Sequence, residues 1–516
     1  MDSLVDLLRA AAKTYASNRA VVFGDRVVDF ATFDRLSDSA AAGLVARGIE
    51  RGDRVGLYCV NGDAFPIAYF GILKAGATVV PVNLLLNPKE VAYILNDAGA
   101  RALIYHEAMT AAVRGVHVPG VECRVSIGAN KAQASDVAWS DLLSSHAPTL
   151  PRSHAPDGDL AAILYTSGTT GYPKGAMLTH RNLASNVASI REALKLEPGK
   201  DVLLVVLPMF HAFAATVGML FPLLNGCTMI PLAKFDPQLV ADTIEKHQVT
   251  VLPAVPSMYN VLLRLPDEQV KKFASLKYCV SGGAALPAEI MQQFEAKFGR
   301  LIYEGDGPTE CSPCTAVNPI GGKRKLNSIG PTVPNVEMEI RDEHGAELPL
   351  TQIGEICVRG PNVMKGYWNR PEDTKESFFG EWFRTGDLGY EDEDGYFFIV
   401  DRKKDMIIVN GMNVYPRIIE EVLHKHPAVK EAAVVGEPDP LHGEIAVAFV
   451  TLKDGAQATG PDLRAFCREN LGRHEIPRKV FFMAALPRNA AGKILKRELR
   501  KQGELERGVD SRIGEM

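Results

Sequence analysis

In the run Leu164-Tyr165-Thr166-Ser167-Gly168-Thr169-Thr170-Gly171-Tyr172-Pro173-Lys174-Gly175, hydroxyl side chains, glycines and a lysine crowd into one short loop. Such a loop suits an anion. Glycines let backbone amides approach phosphate oxygens, hydroxyls donate hydrogen bonds, and Lys174 adds a mobile positive charge. The loop follows the apolar run Leu160 to Leu164, which reads as a buried strand and argues against a flexible linker. It is not a Walker loop: Gly168 and Lys174 have the right separation, but Pro173 replaces the second glycine. Gly175 stands where a magnesium-ligating Ser or Thr belongs.

Four further positions carry chemistry. Thr309-Glu310 closes a turn after Leu301-Ile302-Tyr303, and its carboxylate suits a hard cation such as magnesium, which takes few protein ligands beside phosphate oxygens. Asp387, in Arg384-Thr385-Gly386-Asp387, reads as a glycine-turn residue able to accept from two ribose hydroxyls, although a lone Asp there is usually turn chemistry. Lys493 reads as the start of a basic helix and, alone, as a solvated lysine. His211, inside the apolar run Pro208 to Phe213, reads as a satisfied core histidine.

Short Val- and Ile-rich runs (Thr78 to Val82, Val202 to Leu207, Thr228 to Pro231, Thr250 to Leu252, Tyr278 to Ser281) alternate with helical stretches such as Leu239 to His247 and Ala288 to Phe298. That rhythm predicts an α/β architecture with parallel-rich sheets flanked by helices, and ligands at loops beyond the carboxyl ends of strands. Thr166 to Gly175, Ser281 to Ala284 and Gly305 to Glu310 are such loops. From roughly 329 to 400, short strands and Gly/Pro turns predict a β-rich subdomain. Residues 402–516 predict a small α+β domain after a large one spanning 1–401.

The 516 residues and net charge of -5 exclude a basic nucleic-acid footprint. Val202 to Leu232 holds no charged residue, but Pro208, Pro222, Asn225, Gly226 and Pro231 divide it into a strand, a loop, a buried helix and another strand rather than a membrane span. Eight scattered cysteines predict buried free thiols in a reducing cytoplasm, with Cys311 and Cys314 the one close pair. The N-terminus reads as an amphipathic helix, not a signal peptide.

Taken together, residues 164–175, Pro208 to Phe213, Ser281 to Ala284, Gly307-Pro308-Thr309-Glu310, Arg384 to Asp387, Asp401 to Glu420 and Pro487 to Leu499 resemble, in order, the motifs of the adenylate-forming superfamily of acyl-CoA synthetases, luciferases and peptide-synthetase adenylation domains. The resemblance implies ATP, magnesium and coenzyme A as co-reactants, and a C-terminal domain that swings over the first. In that scheme a carboxylate attacks the α-phosphorus of ATP and a thiol then displaces AMP. It implies that Thr166, Ser167, Gly168, Thr169, Thr170, Gly171 and Lys174 grip the β- and γ-phosphates. Gly282, Gly283, Ala284, Gly305, Asp306 and Gly307 would line the nucleotide. Thr309 would contact the α-phosphate, Glu310 would hold magnesium, and Asp387 with Arg402 the ribose. Lys493 and His211 would serve the chemistry, Lys404 the hinge, and Gly411 the coenzyme A side. Asp306 departs from the pattern, since an aromatic residue that stacks on adenine usually stands there. Asp401-Arg402 departs mildly from a usual Gly-Arg.

The expected acyl wall, Phe213, Ala214, Val217 and Met258, is small or apolar and offers no cation to a second carboxylate. The phrasing around Ser281 to Pro287 and Glu304 to Gly307 most resembles bacterial medium- and long-chain fatty-acyl-CoA synthetases. Aryl-CoA ligases of the coumarate or benzoate kind are the main rival. A carrier-protein-loading enzyme and an inactive nucleotide-binding relative come behind. Peripheral membrane contact and a homo-oligomer stay open.

Overall fold

Strands with no polar face are satisfied only between two layers, and the large sheets here are made of them. The structure, a computed structural model, describes residues 2–144, 154–166, 173–488 and 493–501. Thr78–Pro81, Val202–Val205, Thr228–Pro231, Val251–Ala254 and Tyr278–Ser281 are buried at every residue. They enter two parallel-rich sheets. One runs Ala316–Val317, Ile302–Asp306, Tyr278–Ser281, Val251–Ala254, Val202–Val205, Thr228–Pro231, Arg19–Phe23, Arg26–Asp29, antiparallel only at its two edges. The other runs Val137–Ala138, Cys123–Ile127, Ala100–His106, Arg54–Tyr58, Thr78–Pro81, Leu160–Thr166, Lys174–Thr179, and only its last pair is antiparallel.

The predicted α/β class is found, with the strand ends trimmed. The run expected as Val202 to Leu207 leaves its sheet at Val205 because the Asn61 side chain takes over the next backbone groups. Its Nδ2 donates to the Leu207 carbonyl and its Oδ1 accepts from Met209 N–H, both at 2.9 Å. Beyond it, the charge-free stretch holds the expected buried helix and second strand, but Ala214–Leu220 is wound as a π-helix before Phe221–Leu224 continues as α. Among the described residues no helix is long and apolar enough to cross a membrane.

A third, antiparallel sheet comprises Glu337–Arg341, Gly354–Arg359, Trp382–Glu391 and Phe378–Phe379, with Phe397–Arg402 also paired to Trp382–Glu391. The chain leaves it at Arg402 and builds a fourth sheet from Ile407–Val409, Met412–Val414, Val429–Asp439, Gly443–Leu452 and Lys479–Phe482. One face of this last sheet packs Val434 and Ala448 against Ile419 and Leu423 of the helix Pro416–His424 and Leu463 of Gly460–Asn470. The other face buries Val435, Val447 and Phe449 against Leu486 and Leu499. The chain carrying Lys493 is therefore pinned on both sides by apolar anchors.

Leu499 is fully buried. Leu499→Ala is expected to cost about 2–5 kcal/mol locally. Hydrogen exchange should then speed up in Val429–Asp439 and Gly443–Leu452 while Leu160–Thr166 keeps its protection; equal loss in both places would contradict a separately packed C-terminal sheet.

Candidate active site

Asp387 and Arg402 face each other across the antiparallel strands Trp382–Glu391 and Phe397–Arg402. Arg402 Nε donates to Asp387 Oδ1 at 2.7 Å and Nη2 to Oδ2 at 3.4 Å. Asp387 lies within a strand rather than in the glycine turn expected from its motif. The irregularity is local: Gly386 has φ +73, and the register shifts between Leu388 and Gly389. Thr385 ties the bend down, since its Oγ1 donates to the Ile356 carbonyl at 2.8 Å and accepts from Asp387 N–H at 3.0 Å.

Two more charges complete this cluster. Burial and then Asp387 push the Asp306 carboxyl above the usual carboxylate range, against the pull of Arg402 and Lys493. Lys493 is open to solvent yet sits in a cleft. Burial of its ammonium and neighbouring Arg402 lower its pKa, while Asp387 and Asp306 oppose them. The expected basic helix begins later, at 496–501. Lys493 instead precedes Ile494, which bridges to Arg488, and Leu495 N–H donates to the Pro487 carbonyl at 2.8 Å. Lys493 is no isolated surface lysine.

The acidic turn is held from behind. Helix His180–Ala193, capped by Thr179, presents Asn186, which bonds both backbone groups of Cys314, and Asn182, which donates to the Pro361 and Val363 carbonyls at 2.8 Å. Gly307 is obligatory there: a Cβ would lie 1.4 Å from the Pro313 oxygen. Thr309 and Glu310 then emerge on a 3₁₀ turn. Glu310 Oε1 accepts from Thr166 Oγ1 at 3.3 Å and from Tyr367 Oη at 2.9 Å. Thr166 pairs with Lys174 at the mouth of the Leu160–Thr166/Lys174–Thr179 hairpin. Ser167, Gly168, Thr169, Thr170 and Gly171 lie outside the described residues. Among those described, no three His, Cys, Asp or Glu converge to hold a metal. A single carboxylate such as Glu310 suits magnesium, which relies on phosphate oxygens for further ligands.

At the carboxyl end of Tyr278–Ser281, Gly282 and Gly283 run close to the neighbouring strand, Gly283 with φ +78. Gly282 faces the Phe213 ring and the Gly305 carbonyl, at 3.6 and 3.3 Å from its absent Cβ; Ala284 is half-buried. Ala214 and Val217 are buried, Phe213 and Met258 half-buried. His211 is not the satisfied core histidine expected: its buried Nε2 has no hydrogen-bond partner among the described residues, and burial lowers its pKa to about 4. Nearby Glu304, not anticipated from the sequence, accepts from Leu286 N–H at 3.0 Å and is pushed up to about 7 by burial. Tyr367 and Asp373, which reaches Lys174, were likewise missed, because nothing local marks them.

Lys404, expected at the hinge, borders this cluster, within electrostatic reach of Arg402, Asp387 and Lys493. Lys404 is exposed, with its pKa lowered by burial of the ammonium. Gly411, φ +78, tips the Ile407–Val409/Met412–Val414 hairpin with open space around it. The hairpin borders a cavity of about 250 Å³ lined by Asn410, Met412, Arg473, His474 and Arg478, away from the charged cluster.

Comparison with known proteins now places this geometry. The AMP-binding enzyme family model matches residues 8–368, and the AMP-binding enzyme C-terminal domain model matches residues 418–493. A long-chain-fatty-acid–CoA ligase of Bacillus subtilis (strain 168) is 37% identical over 528 aligned residues, covering 96% of this chain and 94% of the relative. Among solved structures, ATP-bound MatB from Rhodopseudomonas palustris superposes with a TM-score of 0.89 at 32% identity, covering 97% of this chain and 99% of that one. The anthranilate CoA ligase AuaEII in complex with anthranoyl-AMP gives 0.91 at 29% identity and 98% coverage of both.

His211 generates a pH prediction. Its folded pKa near 4 lies below the ordinary 6.5, so the unfolded chain binds the extra proton between those values. Stability from this group is complete above pH 6.5 and is lost as pH falls toward 4. His211→Gln should flatten the fall of the urea midpoint between pH 6.5 and 4. The remaining slope belongs to groups such as His180, lowered to about 3; an unchanged slope would contradict the assignment.

Proposed function

This chain belongs to the AMP-binding enzyme family of adenylate-forming ligases, and we propose that it joins an uncharged hydrophobic carboxylic acid, favouring a medium- or long-chain fatty acid, to coenzyme A. ATP is cleaved to AMP and pyrophosphate in the process. The observation that carries this reading is the convergence of Lys493 and Arg402 with Asp306 and Asp387 from the preceding part.

In the first step an acid oxygen bonds to the α-phosphorus and the bond to the bridging oxygen breaks, so pyrophosphate leaves with the electron pair. Asp387, fixed by Arg402, accepts from the ribose hydroxyls. Thr309 contacts the α-phosphate, and Thr166, Lys174 and residues 167–171 hold the β- and γ-phosphates. Gly282, Gly283, Ala284, Gly305, Asp306 and Gly307 line the base. Lys493 stands where negative charge grows on the phosphoryl oxygens, and an ammonium fixed there in advance stabilises that charge without reorganising. Magnesium held by Glu310 would neutralise phosphate charge. In the second step a thiolate sulfur attacks the acyl carbon and the bond to AMP breaks. Lys404 turns the C-terminal part, taken as 402–516 after a unit of 1–401, and Gly411 then faces the thiol. His211, Phe213, Ala214, Val217 and Met258 form the acyl wall, which has no cation for a second carboxylate. All eight cysteines are free and seven are buried, in keeping with a reducing cytoplasm.

Similarity to both a fatty-acid and an anthranilate ligase makes the acid the point to test. Pyrophosphate release should be followed with acids from butyrate to palmitate, plus benzoate and coumarate, each with and without coenzyme A. Coenzyme A-dependent turnover peaking on aliphatic acids is expected. A peak on aryl acids would move the chain to that branch, and release without stimulation would point to a carrier-protein acceptor. Lys493→Ala should cut adenylate formation about 10²–10³-fold, the range for one preorganised donor. It should spare thioester formation from supplied acyl-adenylate; equal loss in both half-reactions would remove Lys493 from its role.

A further inference from the structure

Lys174 is already engaged. Its ammonium forms an ion pair with Asp373, in the first turn of the short helix Pro371–Glu376, and lies 5.4 Å from the centre of the Tyr367 ring. The two partners are mostly buried, with side-chain exposures of 17% and 28%. The arrangement is built rather than incidental. Residues 365–368 run beside Lys174–Thr179: Lys365 N–H donates to the Met177 carbonyl at 2.9 Å, Met177 N–H to Gly366 at 2.9 Å, and Trp368 N–H to Gly175 at 2.8 Å. Tyr367 N–H is held by Thr374 Oγ1 at 2.8 Å, which locks the strand-like segment to the helix carrying Asp373. The same Tyr367 donates its phenol to Glu310. One face of this tyrosine thus touches the lysine and its edge touches the acidic turn.

We propose that Asp373 is a competing anion for Lys174, a positioning residue that holds the lysine when no phosphate is bound and takes it back when pyrophosphate leaves. This rests on the reading of Lys174 as a phosphate ligand. A mobile ammonium can satisfy Asp373 or a phosphate oxygen, and an exchange between two anions keeps it paired throughout. A mostly buried ammonium left without a partner is costly, so the exchange lowers the barrier to release. It also weakens nucleotide and pyrophosphate binding, because part of every phosphate contact is spent in displacing Asp373. Tyr367 keeps the lysine above its ring face in both positions, so the movement is a short swing.

The test is equilibrium calorimetry with magnesium pyrophosphate and with magnesium α,β-methylene-ATP, on the wild type, Asp373→Asn, Lys174→Ala and the double variant. Asp373→Asn should bind both probes roughly two- to fivefold tighter, the range for an ion pair that keeps some solvent access. Stopped-flow release of pyrophosphate should slow by a similar factor. In the Lys174→Ala background, Asp373→Asn should change nothing. A tightening that persists without Lys174 would show simple repulsion between Asp373 and the phosphates and overturn the exchange. No change or weaker binding in Asp373→Asn, with Lys174→Ala still impaired, would overturn it while leaving Lys174 as a phosphate ligand. Unaltered binding in Lys174→Ala would overturn both readings. Asp373→Glu, which keeps the negative charge within reach of Lys174, should stay within about twofold of wild-type affinity; tightening equal to that of Asp373→Asn would overturn the exchange.

Discussion

The Asp387–Arg402 pair is the constraint from which the rest of the cleft follows. It joins the last two strands of the antiparallel sheet at the point where the chain departs for the C-terminal sheet. Removing one member of so enclosed a pair leaves a charge that has lost its counterion, which costs far more than the pair itself contributes. Arg402 is also the neighbour of Asp401, whose buried carboxylate caps the following elements by accepting from Arg402 N–H at 2.7 Å and Arg417 N–H at 2.8 Å. The start of the helix Pro416–His424 is therefore tied through consecutive bonds to the Asp387 carboxylate.

Around this pair the protein sets two carboxylates and two cations side by side. Asp306 and Asp387 repel, Arg402 and Lys493 repel, and each group sits in a less polar setting than water. The fold holds these groups from several directions: the sheet for Asp387, the backbone bond from Leu495 to Pro487 for the segment just after Lys493, and the asparagines of His180–Ala193 for the acidic turn. Preorganisation of this kind places the energetic burden on folding rather than on the reaction.

Much of this was legible in the sequence, for reasons that can be named. Two-sided burial makes runs such as Thr228 to Pro231 conspicuous, and the phosphate loop and the turn at Thr309-Glu310 are chemically dense over a few residues. What could not be read depends on contacts between distant positions. Asp387 looked like a turn residue because its strand is bent by Gly386 and Thr385, and its partner Arg402 lies in the next strand. Asp373 meets Lys174 across 199 residues, and no local pattern announces such a meeting. Lys493 looked solvated because the sequence shows only its own basic neighbours, not the carboxylates across the cleft. His211 looked satisfied because burial can be inferred from an apolar run, whereas a missing partner cannot.

The π-wound stretch Ala214–Leu220 has a consequence for how this scaffold can diversify. A π turn holds about one residue more than an α turn, and each residue of an α-helix advances about 100° around the axis. Deleting a single residue from that stretch would let it relax to α, rotating everything on one side relative to the other by about that angle. Ala214 and Val217 lie in this segment, and Phe213, which faces Gly282, caps its start. A one-codon deletion would thus turn Phe213 about the helix axis relative to Phe221–Leu224 in a single step, without replacing its side chain.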